Sequence, residues 1–98
     1  ASKDLLLTPE DAAGHQGAFH VVEGTITRIY ESKTATYLNF GEDWHSDFSV
    51  TIPPRARRSM KPLLQQIKPG SRVRVRGYIY DENGPMIRLM KADNLELR

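Results

Sequence analysis

The segment Thr36-Tyr37-Leu38-Asn39-Phe40-Gly41-Glu42-Asp43-Trp44-His45-Ser46-Asp47-Phe48-Ser49-Val50-Thr51-Ile52 decides how this chain folds. Leu38 and Phe40 point to one side of a strand, and Tyr37 and Asn39 to the other. Beyond a turn opened by Gly41, the apolar residues Phe48, Val50 and Ile52 alternate with Asp47, Ser49 and Thr51. Period-two alternation on both sides of a turn predicts two antiparallel strands that share one buried face. The connection from Gly41 to Ser46 exceeds a minimal hairpin and holds the single Trp, a His and two acids. Rigid strands that present so distinctive a loop make Trp44 and His45 candidates for an interaction loop.

The same alternation extends outward in both directions. Phe19 to Tyr30 forms the longest strand candidate, with Val22, Gly24 and Ile26 on one face and Ile29 on the opposite one. That slip predicts a bulge or sharp bend after Ile26, with Gly24 permitting the coiling. Ahead of it, Leu5-Leu6-Leu7 is expected to plug the core. Thr8-Pro9-Glu10-Asp11 then reads as the entrance to a short helix, with Thr8 the N-cap and Asp11 its capping-box partner. After Ile52, Pro53-Pro54 ends the strand. Ala56, Met60, Leu63, Leu64 and Ile67 recur at helical spacing, and Pro62 implies a kinked helix or two short ones, with Ser59 as a possible N-cap. From Ser71 to Tyr80, Val73, Val75, Gly77 and Ile79 share the inner face. Arg72, Arg74, Arg76, Tyr78 and Tyr80 share the outer one. A turn at Asp81-Glu82-Asn83-Gly84, with Asn83 and Gly84 suited to positive φ, leads to a last strand with Ile87 and Leu89 inward. Leu95 and Leu97 are expected to close the end of the core.

Strand, strand, strand, helix, strand, strand is the order of an OB-fold, a five-stranded Greek-key barrel. The expected fold is therefore mainly β, with a helix between strands three and four and a short N-terminal helix. At 98 residues the chain is read as one domain, 1–98, with a single modest core and no internal repeat or linker. No apolar run approaches the length that spans a bilayer, so membrane insertion is not expected. With no cysteine, neither a disulfide framework nor a thiolate metal site is open to it. The opening Ala1-Ser2-Lys3 reads as the residue pattern just after a small-residue cleavage site, which predicts an exported, periplasmic protein; an expression scar has the same appearance, and the chain is then cytoplasmic.

Charge is distributed unevenly. The formal net charge is +2, yet no acid falls between Asp47 and Asp81, whereas Arg55, Arg57, Arg58, Lys61, Lys68, Arg72, Arg74 and Arg76 all do. Such a field attracts polyanions, and it equally suits a solvated helix and the outer face of a strand. OB-folds bind on the outer face of strands two and three and on the flanking loops. Single-stranded nucleic acid requires cations for phosphates and flat rings for bases. Lys33, Tyr37 and Asn39 supply these around strand two; Arg74, Arg76, Tyr78, Tyr80 and Arg88 supply them on the final hairpin. Alternating long side chains also protect a strand edge with no ligand involved.

Catalysis has weaker support. Glu42, Asp43 and Asp47 offer oxygens for Ca²⁺, but their spacing matches no calcium loop. His15, His20 and His45 lack the i, i+4 spacing of a zinc pair. No serine stands in a Gly-x-Ser-x-Gly elbow. No cofactor or metal is expected.

A whole-chain pattern adds to this. Pro9-Glu10-Asp11-Ala12-Ala13, Val22-Glu23-Gly24, Ser32-Lys33, Tyr37-Leu38-Asn39-Phe40-Gly41 and Phe48-Ser49-Val50 occur in order. Gly70-Ser71-Arg72-Val73-Arg74-Val75-Arg76-Gly77, Gly84-Pro85-Met86-Ile87 and Asn94-Leu95-Glu96 follow. In this order the chain resembles the small, non-catalytic OB-fold proteins of the staphylococcal-nuclease-like superfamily. The resemblance implies the nuclease fold without the nuclease site. Where active members carry an Asp-Gly-Asp-Thr-like turn, this chain has Glu31-Ser32-Lys33-Thr34, and Tyr37 to Phe40 contains no arginine. The expected function is a non-catalytic binding module for single-stranded DNA or RNA, and the alternative is an exported module that binds a protein or an envelope polyanion.

Overall fold

The computed structural model describes residues 6–43 and 47–98. Eight strands and one α-helix run in the order β1 (Leu6–Leu7), β2 (Ala18–Thr25), β3 (Arg28–Glu31), β4 (Thr36–Asn39), β5 (Ser49–Ile52), α1 (Pro54–Leu64), β6 (Arg72–Asp81), β7 (Pro85–Arg88) and β8 (Leu95–Leu97). Short 3₁₀ turns at Pro9–Gly14 and Ala92–Asn94 complete the elements among the described residues. All eight strands join one sheet in the order β1-β2-β6-β7-β5-β4-β3, with β8 pairing β6. Most pairs are antiparallel; β5–β7 and β1–β2 are parallel.

The bend foreseen after Ile26 is where β2 gives way to β3. Ile26 N donates to Ser71 O on one side at 2.8 Å, and Thr27 N donates to Asn39 O on the other at 2.8 Å. Thr27 Oγ1 donates again to Asn39 O and Gly41 O, so the bend is fixed to the end of β4. Gly24 also has a packing role. A Cβ there would stand 2.4 Å from Pro9 Cγ, so the missing side chain lets the 3₁₀ turn pack flat on β2. That turn opens with the capping box read from Thr8 and Asp11.

The alternating residues form the core as expected: Val22, Ile26, Leu38, Phe40, Phe48, Val50, Ile52, Val73, Val75, Ile79, Ile87 and Leu89 are all buried. Leu7, Ala12, Ala56 and Met60 join them. Two end-closing assignments need correction. Strand alternation turns Leu7 inward and leaves Leu6 exposed, while Leu5 lies outside the described residues. Leu95 is buried but Leu97, at the tip of β8, is exposed.

The helix also differs from expectation. It begins at Pro54 with Pro53 as N-cap, because proline's fixed φ suits the first helical position and its missing N–H is no loss there. Ser59 is not a cap; its hydroxyl donates to Ala56 O inside the helix. Pro62 falls in the last turn, and α1 ends two residues later. The Asp81–Gly84 turn is as read, with Asn83 at φ 57° and Gly84 at φ 105°.

Candidate nucleic-acid interface

Cross-strand register, unlike sequence order, assembles one face from five strands. Arg28 lies opposite Asn39 and Tyr30 opposite Tyr37. Asn39 and Tyr37 lie opposite Ser49 and Thr51, which lie beside Met86 and Arg88 of β7. Met86 in turn pairs with Tyr80 of β6. Asn39, Ser49 and Thr51 were expected to face solvent, yet all are buried. Strands β4 and β5 lie between β3 and β7, and their short polar side chains sit among the longer Tyr30, Tyr37, Met86 and Arg88. The result is a polar floor between aromatic and cationic walls. Thr51 Oγ1 on this floor and the Tyr80 hydroxyl are buried and have no hydrogen-bond partner.

One end of this face deepens into a groove of about 520 Å³, within the roughly 300–1,000 Å³ range of small-molecule sites. Arg28, Tyr30, Tyr37 and Asn39 line one side; Glu82, Asn83 and Met86 line the other, with Ser32 at the rim. The Tyr30 and Tyr37 ring centroids are 6.1 Å apart and tilted by 35°. The Arg28 guanidinium lies 5.5 Å from the Tyr30 ring centroid, and Arg88 stands at the same distance from Tyr80. Among the described residues neither arginine meets a carboxylate. The rim is held by Ser32, whose hydroxyl accepts from the Thr34 and Ala35 N–H groups. From α1, Arg57 donates to Ser32 O at 2.5 Å and ties the helix to this turn.

The structure splits the residues proposed from the sequence between two surfaces. Tyr37, Asn39, Tyr80 and Arg88 belong to the groove face, and Lys33 is exposed in the turn beside it. Arg74, Arg76 and Tyr78 lie toward the other end of β6, against β2 and β8. There the expected cationic track is partly compensated, three β6 arginines sharing two glutamates. Arg74 and Arg72 both bind Glu23, at 2.7 and 3.3 Å, and Arg76 binds Glu96 at 3.0 Å. Hydrogen bonds from Arg74 first, and then Arg72, hold the Glu23 carboxyl below the usual glutamate range against the opposing effect of burial. Tyr78, 55% exposed, lies opposite Phe19, 62% exposed, in an apolar patch continued by Leu6.

Arg28, Tyr30, Ser49, Thr51 and Met86 were missed. The signal for the first two was present: if Ile29 breaks phase with Ile26, its neighbours Arg28 and Tyr30 must face outward. Trp44 and His45 lie outside the described residues. Of the three acids weighed for Ca²⁺, Asp47 closes its own loop, its Oδ2 accepting from Asp43 N at 3.0 Å.

Solved structures share the fold of this chain. The OBody AM1L10 bound to hen egg-white lysozyme superposes with a TM-score of 0.70 over 100% of this chain and 96% of its own, at 13% identity. This is an OB-fold. A second OBody bound to lysozyme, AM3L09, gives 0.69 at 11% identity, over 99% of this chain and 96% of its own. A chain of the S. pombe Stn1–Ten1 complex gives 0.62 at 18% identity, over 82% of this chain and 57% of its own. No protein-family model and no curated protein matches the sequence. Among the described residues no helix is long and apolar enough to cross a membrane.

Proposed function

We propose that this chain is a non-catalytic binding module whose groove face takes single-stranded nucleic acid. The observation that carries the reading is the convergence of Tyr30, Tyr37 and Tyr80 with Arg28 and Arg88 on one face with a polar floor. Stacked rings hold bases without regard to sequence, and arginines free of carboxylates hold phosphates. The OB-fold likeness to proteins captured in complexes supports a binding role. Counting β2 and β3 as one strand bent at Ile26–Thr27, the pairing order also supports the five-stranded barrel expected from the sequence. The narrower kinship with staphylococcal-nuclease-like proteins rests on the order of the sequence motifs.

A salt titration of binding to a labelled oligothymidylate tests the function. Affinity is expected to fall steeply with salt as phosphate contacts release counterions. The double variant Arg28→Ala, Arg88→Ala is expected to flatten the slope by about two phosphate contacts. Arg76→Ala, at an arginine already paired with Glu96, is expected to leave it nearly unchanged. Tyr37→Ala is expected to cost about 1–3 kcal/mol at every salt concentration. Absence of binding at low salt overturns the reading.

The exposed Leu6, Phe19 and Tyr78 favour a second reading, a protein-interaction module that uses the β1-β2-β6 surface. Aromatic side chains in apolar patches are enriched at protein interfaces. In that case Phe19→Ala abolishes partner binding and Tyr37→Ala does not.

A further inference from the structure

We infer that the groove between the two tyrosines and the β6–β7 turn is a nucleobase pocket selective for guanine, with Glu82 as its specificity-determining residue. This rests on the nucleic-acid reading above and names the base the site takes. Tyr30 and Tyr37 do not discriminate, since every base has a π-face. Discrimination comes from hydrogen bonds to the base edge. On the opposite wall Glu82 is the one carboxylate among the described lining residues. No hydrogen bond or ion pair among the described residues occupies its side chain.

An ionised carboxylate only accepts, and it takes two donors side by side. Guanine alone presents two adjacent donors on its Watson–Crick edge, the ring N1–H and the exocyclic N2–H₂. Thymine and uracil flank their one N–H with two carbonyl oxygens, which would face the carboxylate's lone pairs. Adenine and cytosine place an unprotonated ring nitrogen beside their amino group. The amides of Asn83, on the same wall, and Asn39, at the floor, provide donors for guanine's O6 and N7.

The turn that carries Glu82 is well held. Glu82 N donates to Gly84 O at 2.9 Å, and Gly84 N donates to Asp81 Oδ1 at 3.2 Å. A negative charge beside a face that gathers arginines opposes phosphate binding. It is consistent with a site that gains selectivity by repelling the wrong bases.

The test measures binding of the intact chain to a labelled heptathymidylate and to the same strand with one central guanine. The guanine strand is expected to bind about tenfold more tightly or better. Glu82→Gln, in an exposed turn outside the core, is expected to remove that preference while strengthening binding to heptathymidylate. Guanosine monophosphate competing where uridine monophosphate does not would support the pocket with a free nucleotide as its source. Equal affinity of the two strands in wild type, with Glu82→Gln raising both alike, overturns guanine selectivity but leaves nucleic-acid binding standing. Failure of both strands to bind at low salt overturns both.

Discussion

At the scale of the residue, Gly24 shows how one absent side chain fixes a contact between distant segments. A Cβ at this position would meet Pro9 Cγ at 2.4 Å, Pro9 Cδ at 2.9 Å and the Phe40 ring at 3.3 Å. The proline ring is constrained by the capping box behind it and cannot swing aside as a flexible side chain would. Gly24→Ala is therefore expected to lower stability by about 1–3 kcal/mol, as overpacking does. Denaturant unfolding of Gly24→Ala, Pro9→Ala and the double variant checks this. If the clash is the cause, the glycine substitution costs less once the ring is gone. Equal costs in both backgrounds would mean that the Phe40 ring, and not the proline, is what the added Cβ meets.

At the scale of the element, β6 carries the arginines that most resembled a nucleic-acid track, and its neighbours determine what they do. Glu23 lies directly opposite Arg74 on β2, and Glu96 opposite it on β8. Opposite charges across a pair of strands stabilise the sheet. The pairing has a pH signature. Because the folded-state pKa of Glu23 is depressed, its contribution is fully present above the unfolded chain's glutamate range and is lost as pH falls through the folded value. Asp11 acts in the same direction, lowered by hydrogen bonds from the Thr8 backbone and then its side chain. Midpoints of denaturation measured from neutral pH into the acid range are expected to fall less in Glu23→Gln than in wild type. Parallel curves would show that the carboxylate contributes nothing through its charge.

At the scale of the whole molecule, the two cationic regions differ in electrostatic role despite similar composition. One is partly compensated by Glu23 and Glu96 across β2-β6-β8, and the other, Arg28 and Arg88, flanks the groove. A net charge of +2 does not reveal this division. Arrangement matters more than total charge, because exposed charges are screened beyond about a Debye length. The proposal that the module is non-catalytic also belongs at this scale. Phosphodiester hydrolysis requires a cation or a base set beside transition-state donors, and the Asp-Gly-Asp turn that would supply acids is missing from the chain. Single-stranded DNA incubated with the protein and Ca²⁺ is expected to stay intact on a denaturing gel. Cleavage that Glu42→Gln or Asp47→Asn abolishes would reverse that conclusion.

The sequence by itself determined which side chains of the main strands face the core, the bend after Ile26, the capping box at Thr8 and the positive-φ turn at Asn83–Gly84. Each follows from alternation or from the backbone preferences of a few adjacent residues, and these are local properties. Tertiary structure decided which outward side chains become neighbours. Arg74 finds Glu23 fifty-one positions away, whereas Tyr30 meets Tyr37 across a single turn. Thr51 and Arg88 are brought together by a parallel pair that spans the helix and a long strand. An outward-facing residue is a strand-level fact. Whether it is ion-paired, buried in a floor or left to meet a ligand depends on the strands beside it, and that is set by register across the sheet rather than by spacing along the chain.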